Sequence, residues 1–105
     1  MIKYVIKRDG SKQPFVEEKI KIVIGKALDS VKTEVPISVE EITQEVLEEI
    51  KCRLDSKSHF ADTVGIEFIQ DCVEDTLMDL NLKKTVKAYI IYRYENKKNK
   101  TISNV

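Results

Sequence analysis

The sequence predicts an α+β fold, mostly α, in which a four-helix bundle is capped by a small two- or three-stranded β-sheet. Three observations lead there. Four stretches repeat apolar residues at the three-and-four spacing of one helical face. The stretch from Lys3 to Ile20 instead reads strand, turn, strand around Asp9-Gly10. Finally, each amphipathic helix needs partners to cover its stripe, and so small a sheet needs a helical layer to stand on.

In chain order, Tyr4, Val5 and Ile6 suit a pleated surface, and Gly10 accepts the positive φ that a hairpin turn demands. Alternation sends Val5 and Lys7 to one face and Ile6 and Arg8 to the other. Pro14-Phe15 ends the second strand. Helix one runs from Glu17 to about Ser30, with Ile20, Val23, Ile24, Ala27, Leu28 and Val31 as its stripe. Ile22 falls off that stripe and is assigned to the underside of the hairpin. Lys32 to Ile37 is a linker, since Pro36 blocks a helix. Ser38 with Glu41 three residues on forms a capping box, opening a second helix to about Leu54. Its stripe is Val39, Ile42, Val46, Ile50 and Leu54, and its many glutamates form a solvated face. Ser58 to Ala61 is a candidate third strand, and Asp62 or Thr63 is the expected cap of helix three. That helix runs to about Leu80 on Ile66, Ile69, Val73, Leu77 and Leu80. Asn81 breaks the chain, and helix four covers about Leu82 to Asn96, with Val86, Tyr89, Ile90 and Arg93 on one side. The expected division is a domain over 1–96 and a flexible, lysine-rich tail over 97–105.

The 105 residues suffice for one domain and one modest core. Eighteen basic and eighteen acidic residues cancel, which speaks against a general nucleic-acid or membrane-surface binder. No apolar run has the length to span a bilayer, and early charges at Lys3, Lys7, Arg8 and Asp9 break any secretory pattern. A cytoplasmic chain without membrane contact is expected. Cys52 and Cys72 form no C-x-x-C pair and read as thiols packed on helices. His59 is the one histidine, in a polar loop without a partner pattern. No nucleophile–base signature and no Gly-rich phosphate loop occur, so the chain is read as lacking a catalytic site of its own, and no metal site is assigned.

Cations cluster at the hairpin. Lys7 and Arg8 precede the Asp9-Gly10 turn, and Lys12 and Lys19 lie within reach of it. One reading is an ordinary solvated tip. The other is a polyphosphate site built on charge-assisted hydrogen bonds, in the crevice between sheet and bundle. Glu17 and Glu18 occupy the start of helix one, so that helix terminus is not invoked for the anion.

Three segments carry a resemblance. Val5-Ile6-Lys7-Arg8-Asp9-Gly10, with Phe15 and Lys19-Ile20, resembles the opening of the ATP-cone domain. Ile69-Gln70-Asp71 with Val73-Glu74 resembles that family's third helix, and Val86 to Arg93 its closing helix. Order and spacing agree over about residues 3 to 95. ATP cones are allosteric modules at the N-terminus of many ribonucleotide reductases, and they also occur in a repressor and other proteins. The resemblance implies a regulatory domain that binds ATP or dATP, accompanied by Mg2+. It implies that Val5 lines an adenine slot and that Lys7 and Arg8, helped by the turn at Asp9 and Gly10, meet phosphates. Lys19 reaches the same phosphates, and Gln70 or a neighbour touches the nucleotide. Tyr89 and Arg93 serve either packing or contact. The implied partner is a ribonucleotide reductase or another protein on which a free-standing cone acts, with self-association when nucleotide is bound. The chain holds neither a zinc ribbon nor a reductase barrel, so an excised domain and a free-standing cone are both consistent with it. Two positions depart from the family: Val16 stands where Asp or Asn is frequent, and Gln13 where Glu is common. Valine accepts no hydrogen bond. Those departures motivate the alternative, a helical interaction domain of cone ancestry that has lost nucleotide binding.

Overall fold

The computed structural model describes residues 2–31, 38–57 and 62–99. Strand β1 (Tyr4–Ile6) pairs antiparallel with β2 (Lys12–Pro14), placing Val5 opposite Gln13 and Ile6 opposite Lys12. The connection closes through two backbone bonds, Gly10 N–H to Lys7 C=O at 2.9 Å and Lys7 N–H to Ser11 C=O at 2.8 Å. Arg8, Asp9 and Gly10 therefore form a three-residue loop, with Gly10 at φ +87° in the left-handed position this geometry reserves for glycine. Asp9 Oδ1 accepts the Ser11 N–H at 2.9 Å and fixes the bend.

A third strand, β3 (Thr63–Gly65), runs parallel to β1 on its other side, giving the order β2-β1-β3. The strand expected at Ser58 to Ala61, like His59 and the linker at 32–37, lies outside the described residues. The cap expected at Asp62 or Thr63 is corrected. Helix α3 (Ile66–Asp79) begins after Gly65, an extended residue at φ −74° and ψ 150° that supplies no side-chain cap. The reason is pairing with β1. Asp62 C=O accepts from the N–H of Lys3 at 2.7 Å and of Tyr4 at 3.0 Å, so Thr63 and Val64 are spent on the ladder rather than on a helix end.

Helix α1 spans Glu17–Val31 and buries Ile20, Val23, Ile24 and Ala27. Ile22 is 46% exposed, which corrects its assignment beneath the hairpin: it points away from the α1 stripe. Helix α2 (Val39–Lys57) starts at the expected cap, where Ser38 Oγ accepts the Glu41 N–H at 3.1 Å. Ile42, Val46 and Ile50 form its buried stripe. Helix α3 ends in a Schellman-type turn. Leu82 N–H reaches Leu77 C=O at 3.0 Å and Asn81 N–H reaches Met78 C=O at 2.9 Å, with Asn81 left-handed at φ 62°. Helix α4 (Lys83–Asn99) continues three residues past the expected end at Asn96. Among the residues whose burial is described, its buried side chains are Thr85, Val86 and Tyr89, whereas Ile90 is 39% exposed instead of lying in the stripe.

Around the bundle, α1 packs on α2 and α4, and α3 packs on the same two helices. Val5 is buried in the core with Ile20, Ile24, Ile42, Ile66, Ile69 and Tyr89, and Val64 of β3 packs against it. Cys72 is buried there too, and burial pushes its thiol up to about 11, while Cys52 is exposed. The sheet is thus anchored from below by Val5 and from the side by β3, which leads directly into α3. That continuity sets the hairpin loop beside the first two turns of α3.

Candidate functional site

The three-residue loop carries Arg8 out of the strand, so strict alternation no longer fixes its direction. Its side chain crosses to α3, where Nη2 donates to Gln70 Oε1 at 2.7 Å. Gln70 is fully buried, one turn into α3. A guanidinium only donates, so the amide must present its oxygen to Arg8 and direct its NH2 elsewhere.

Burial leaves several donors without acceptors. Among the described residues, Arg8 Nε, Arg8 Nη1 and Gln70 Nε2 are buried and have no hydrogen-bond partner. An unmet buried donor costs about 1–3 kcal/mol, and more when charged. Three adjoining nitrogens from two elements form a donor set, and the matching acceptor is an oxygen-rich anion. Thr85 Oγ1 is likewise buried and unpartnered. It lies in the first turn of α4, at the other end of the bundle from the α3 start.

The lysines add field. Burial lowers the affinity of Lys7 for its proton, the nearby charge of Lys19 lowers it further, and Asp9 partly offsets both. Two ammonium groups close enough to perturb one another are stabilised by an anion between them. Asp9 is exposed, and its carboxyl is held below the usual range first by the Ser11 side chain and then by the Ser11 N–H. It shapes the loop. Lys12 holds its ammonium 4.3 Å from the centre of the Tyr4 ring, a cation–π contact.

The structure therefore brings Arg8 and Gln70 into direct contact and Lys7 into the field of Lys19. Gly10 acts through its backbone conformation. Val5 is 3% exposed and faces the core, and β1 is the central strand, so the open sheet edges belong to β2 and β3. Val16 is 42% exposed at the approach to α1, and Gln13 is exposed on β2.

Glu67 gains a role that the sequence left unassigned, and Arg93, read there as packing or contact, is placed in an ion-pair cluster. Glu67 Oε1 lies 3.8 Å from Arg8 Nη2 and 3.2 Å from Arg93 Nη2. Arg93 also holds Asp71 at 2.9 Å and Glu74 at 3.2 Å, which makes it a clasp between α4 and α3. The sequence shows Glu67, Asp71 and Glu74 at helical spacing on one side of α3, but not which arginine stands opposite them. Tyr89 is a packing residue, fully buried and stacked on Tyr92 with ring centres 6.1 Å apart. Burial pushes its phenol far above the ordinary range.

A separate groove of about 340 Å3 lies between α1 and α4, lined by Val23, Ala27, Ala88, Ile91 and Tyr92 together with the polar Lys26, Ser30 and Glu95. None of the cations at the hairpin or Gln70 borders it. Among the described residues no cluster of three or more acidic, Cys or His side chains could hold a metal, and no helix is long and apolar enough to cross a membrane.

Comparison with known proteins gives one family match, to a profile described as the ATP cone domain, over residues 3–98. The chain is 35% identical over 95 residues to the ribonucleoside-diphosphate reductase subunit alpha of Treponema pallidum, covering 90% of this chain and 11% of that protein. It is 38% identical over 98 residues to the vitamin B12-dependent ribonucleoside-diphosphate reductase of Thermoplasma acidophilum, covering 89% of this chain and 12% of that protein. Against the anaerobic ribonucleoside-triphosphate reductase of Escherichia coli it is 33% identical over 95 residues, again 12% of the relative's length. The chain thus spans about an eighth of the relatives it matches.

Proposed function

Since this chain belongs to the ATP-cone family, matched over residues 3–98, we propose that it is an allosteric regulatory domain that binds ATP or dATP at the hairpin–α3 junction. One observation carries the placement: Arg8 Nε, Arg8 Nη1 and Gln70 Nε2 are buried donors that lack acceptors. Phosphate oxygens satisfy all three. In this reading Lys7 and Lys19 take the outer phosphates, the loop of Asp9 and Gly10 holds the two basic residues in position, and Val5 supports the adenine side from the core. Mg2+ rides on the triphosphate, which together with water supplies most of its ligands. The domain acts without a catalytic site of its own, in the cytoplasm, on a ribonucleotide reductase or on a protein that it meets as a free-standing cone. Similarity to three reductases supports that partner class.

A second reading draws on the α1–α4 side, where Ile91, 58% exposed, lines the groove, and on Tyr94, 65% exposed on the same helix. There the domain docks a protein, and the exposed Val16 and the uncharged Gln13 reflect weakened nucleotide binding. A thermal-shift panel of ATP, dATP, GTP and ADP, each with Mg2+, separates the two. Under the first reading, ATP or dATP at about 100 times its dissociation constant adds about 2.7 kcal/mol of stability. An unchanged melting temperature for the whole panel rejects it.

A further inference from the structure

Arg8 is not only a donor in search of an anion; it already faces one carboxylate. Glu67 Oε1 sits 3.8 Å from Arg8 Nη2, too long for a hydrogen bond but within ion-pair range. The same oxygen accepts from Arg93 Nη2 at 3.2 Å. Glu67 is 56% exposed, whereas the two arginine side chains are 15% and 18% exposed. The carboxylate is the most solvent-exposed member of this triad. The arginines are held by other contacts, Arg8 by Gln70 and Arg93 by Asp71 and Glu74.

We propose that Glu67 is a competing counter-ion for the phosphate site, shared by Arg8 and Arg93, and that nucleotide binding shifts it from Arg8 towards Arg93. The proposal rests on the nucleotide reading above. Phosphate at Arg8 supplies the charge that Glu67 now provides and repels the Glu67 carboxylate at short range. Arg93, whose Nη2 already donates to the same Glu67 oxygen at 3.2 Å, remains a cationic partner for it and lies on α4 between the exposed Ile91 and Tyr94. Occupancy of the site is thereby felt at α4, by tightening the α3–α4 clasp. Glu67 acts through Arg8, so it is a positioning residue and a regulator of affinity rather than a phosphate ligand.

Calorimetric titration of the chain with ATP, ADP and AMP tests this, using wild type, Glu67→Gln, Arg93→Met and the double variant. Glu67→Gln keeps shape and removes charge at an exposed position. It should bind ATP about threefold to fivefold more tightly, the scale of a partly exposed ion pair. The gain should shrink from ATP through ADP to AMP and fade in about 0.5 M salt, whereas a purely structural effect would not follow ligand charge. Arg93→Met should weaken ATP binding, and most of that loss should vanish when Glu67 is also Gln, because the two act through one contact. Unchanged or weaker ATP binding by Glu67→Gln, or strictly additive variants, overturns the proposal while leaving the nucleotide site standing. Absence of ATP binding by wild type overturns both.

Discussion

Arg8 and Gln70 are 62 residues apart in the chain and joined by a 2.7 Å hydrogen bond that ties the hairpin loop to α3. Neither residue is satisfied by that bond alone, because each keeps buried nitrogen donors without acceptors. The pair is stable enough to hold its geometry and incomplete enough to welcome an anion.

Replacing Gln70 by Glu should move stability and affinity in opposite directions. A carboxylate at this place accepts from Arg8 as a charged partner, a bond worth about 1.5–3 kcal/mol where an ordinary one gives about 1. It also removes the orphaned amide donors and sets a negative charge where phosphate must arrive. The melting temperature of the free chain should hold or rise, and ATP affinity should fall at least about tenfold. Thermal melts with and without ATP check both signs. Equal ATP stabilisation in Gln70→Glu and wild type would place the phosphates elsewhere.

Lys7 provides a pH signature. Its folded-state proton affinity lies below that of an ordinary lysine, chiefly through burial and then through Lys19. Sign follows from linkage: a lowered folded value means that the stability linked to Lys7 is present above 10.5, the unperturbed lysine value, and is lost as pH falls through the folded value. A bound polyphosphate opposes that perturbation and favours the protonated form. Binding in the alkaline range where Lys7 titrates should therefore take up protons, and affinity should weaken as pH climbs through that range. Calorimetry in two buffers of different ionisation enthalpy reads the uptake, and Lys7→Met should abolish it.

Stability away from the site should follow the local geometry. Asn81 is left-handed at φ 62° and closes the α3 turn. Asn81→Ala should cost about 1–2 kcal/mol, because a Cβ without a compensating side-chain bond disfavours that region. Asn81→Gly should cost little. Ser38→Ala, which strips the cap from α2, should cost about 1 kcal/mol. Denaturant unfolding of the three variants measures these differences, and neither loop change should alter ATP affinity.

The turn at Asn81 and the cap at Ser38 were legible because both are local chemistry, set within a few residues. The buried stripes of α1, α2 and α3 were legible because helical periodicity records burial directly. The strand character of Thr63–Gly65 was not legible, for the opposite reason. Thr63–Gly65 is three residues long, and its pairing partner, β1, lies some sixty residues earlier. Its Thr and Val serve a cap or a strand equally well until that partner is known. Arg8 was named as a candidate site residue from its neighbours in the motif, but its reach to α3 depends on a three-residue loop that alternation does not foresee. Gln70 could be singled out by resemblance alone, since a glutamine on a helix is ordinarily expected at the surface. The shared role of Glu67 needed coordinates, because i, i+4 acidic spacing says nothing about which arginine stands opposite.

The most direct test is a calorimetric titration of ATP into the wild-type chain and into Arg8→Met, which keeps bulk and removes every donor. Wild type should bind ATP, and Arg8→Met should lose at least about tenfold in affinity, the worth of one charge-assisted contact, while retaining its helical spectrum and melting transition. A folded Arg8→Met that binds ATP as tightly as wild type would contradict the placement of the phosphates at the hairpin–α3 junction.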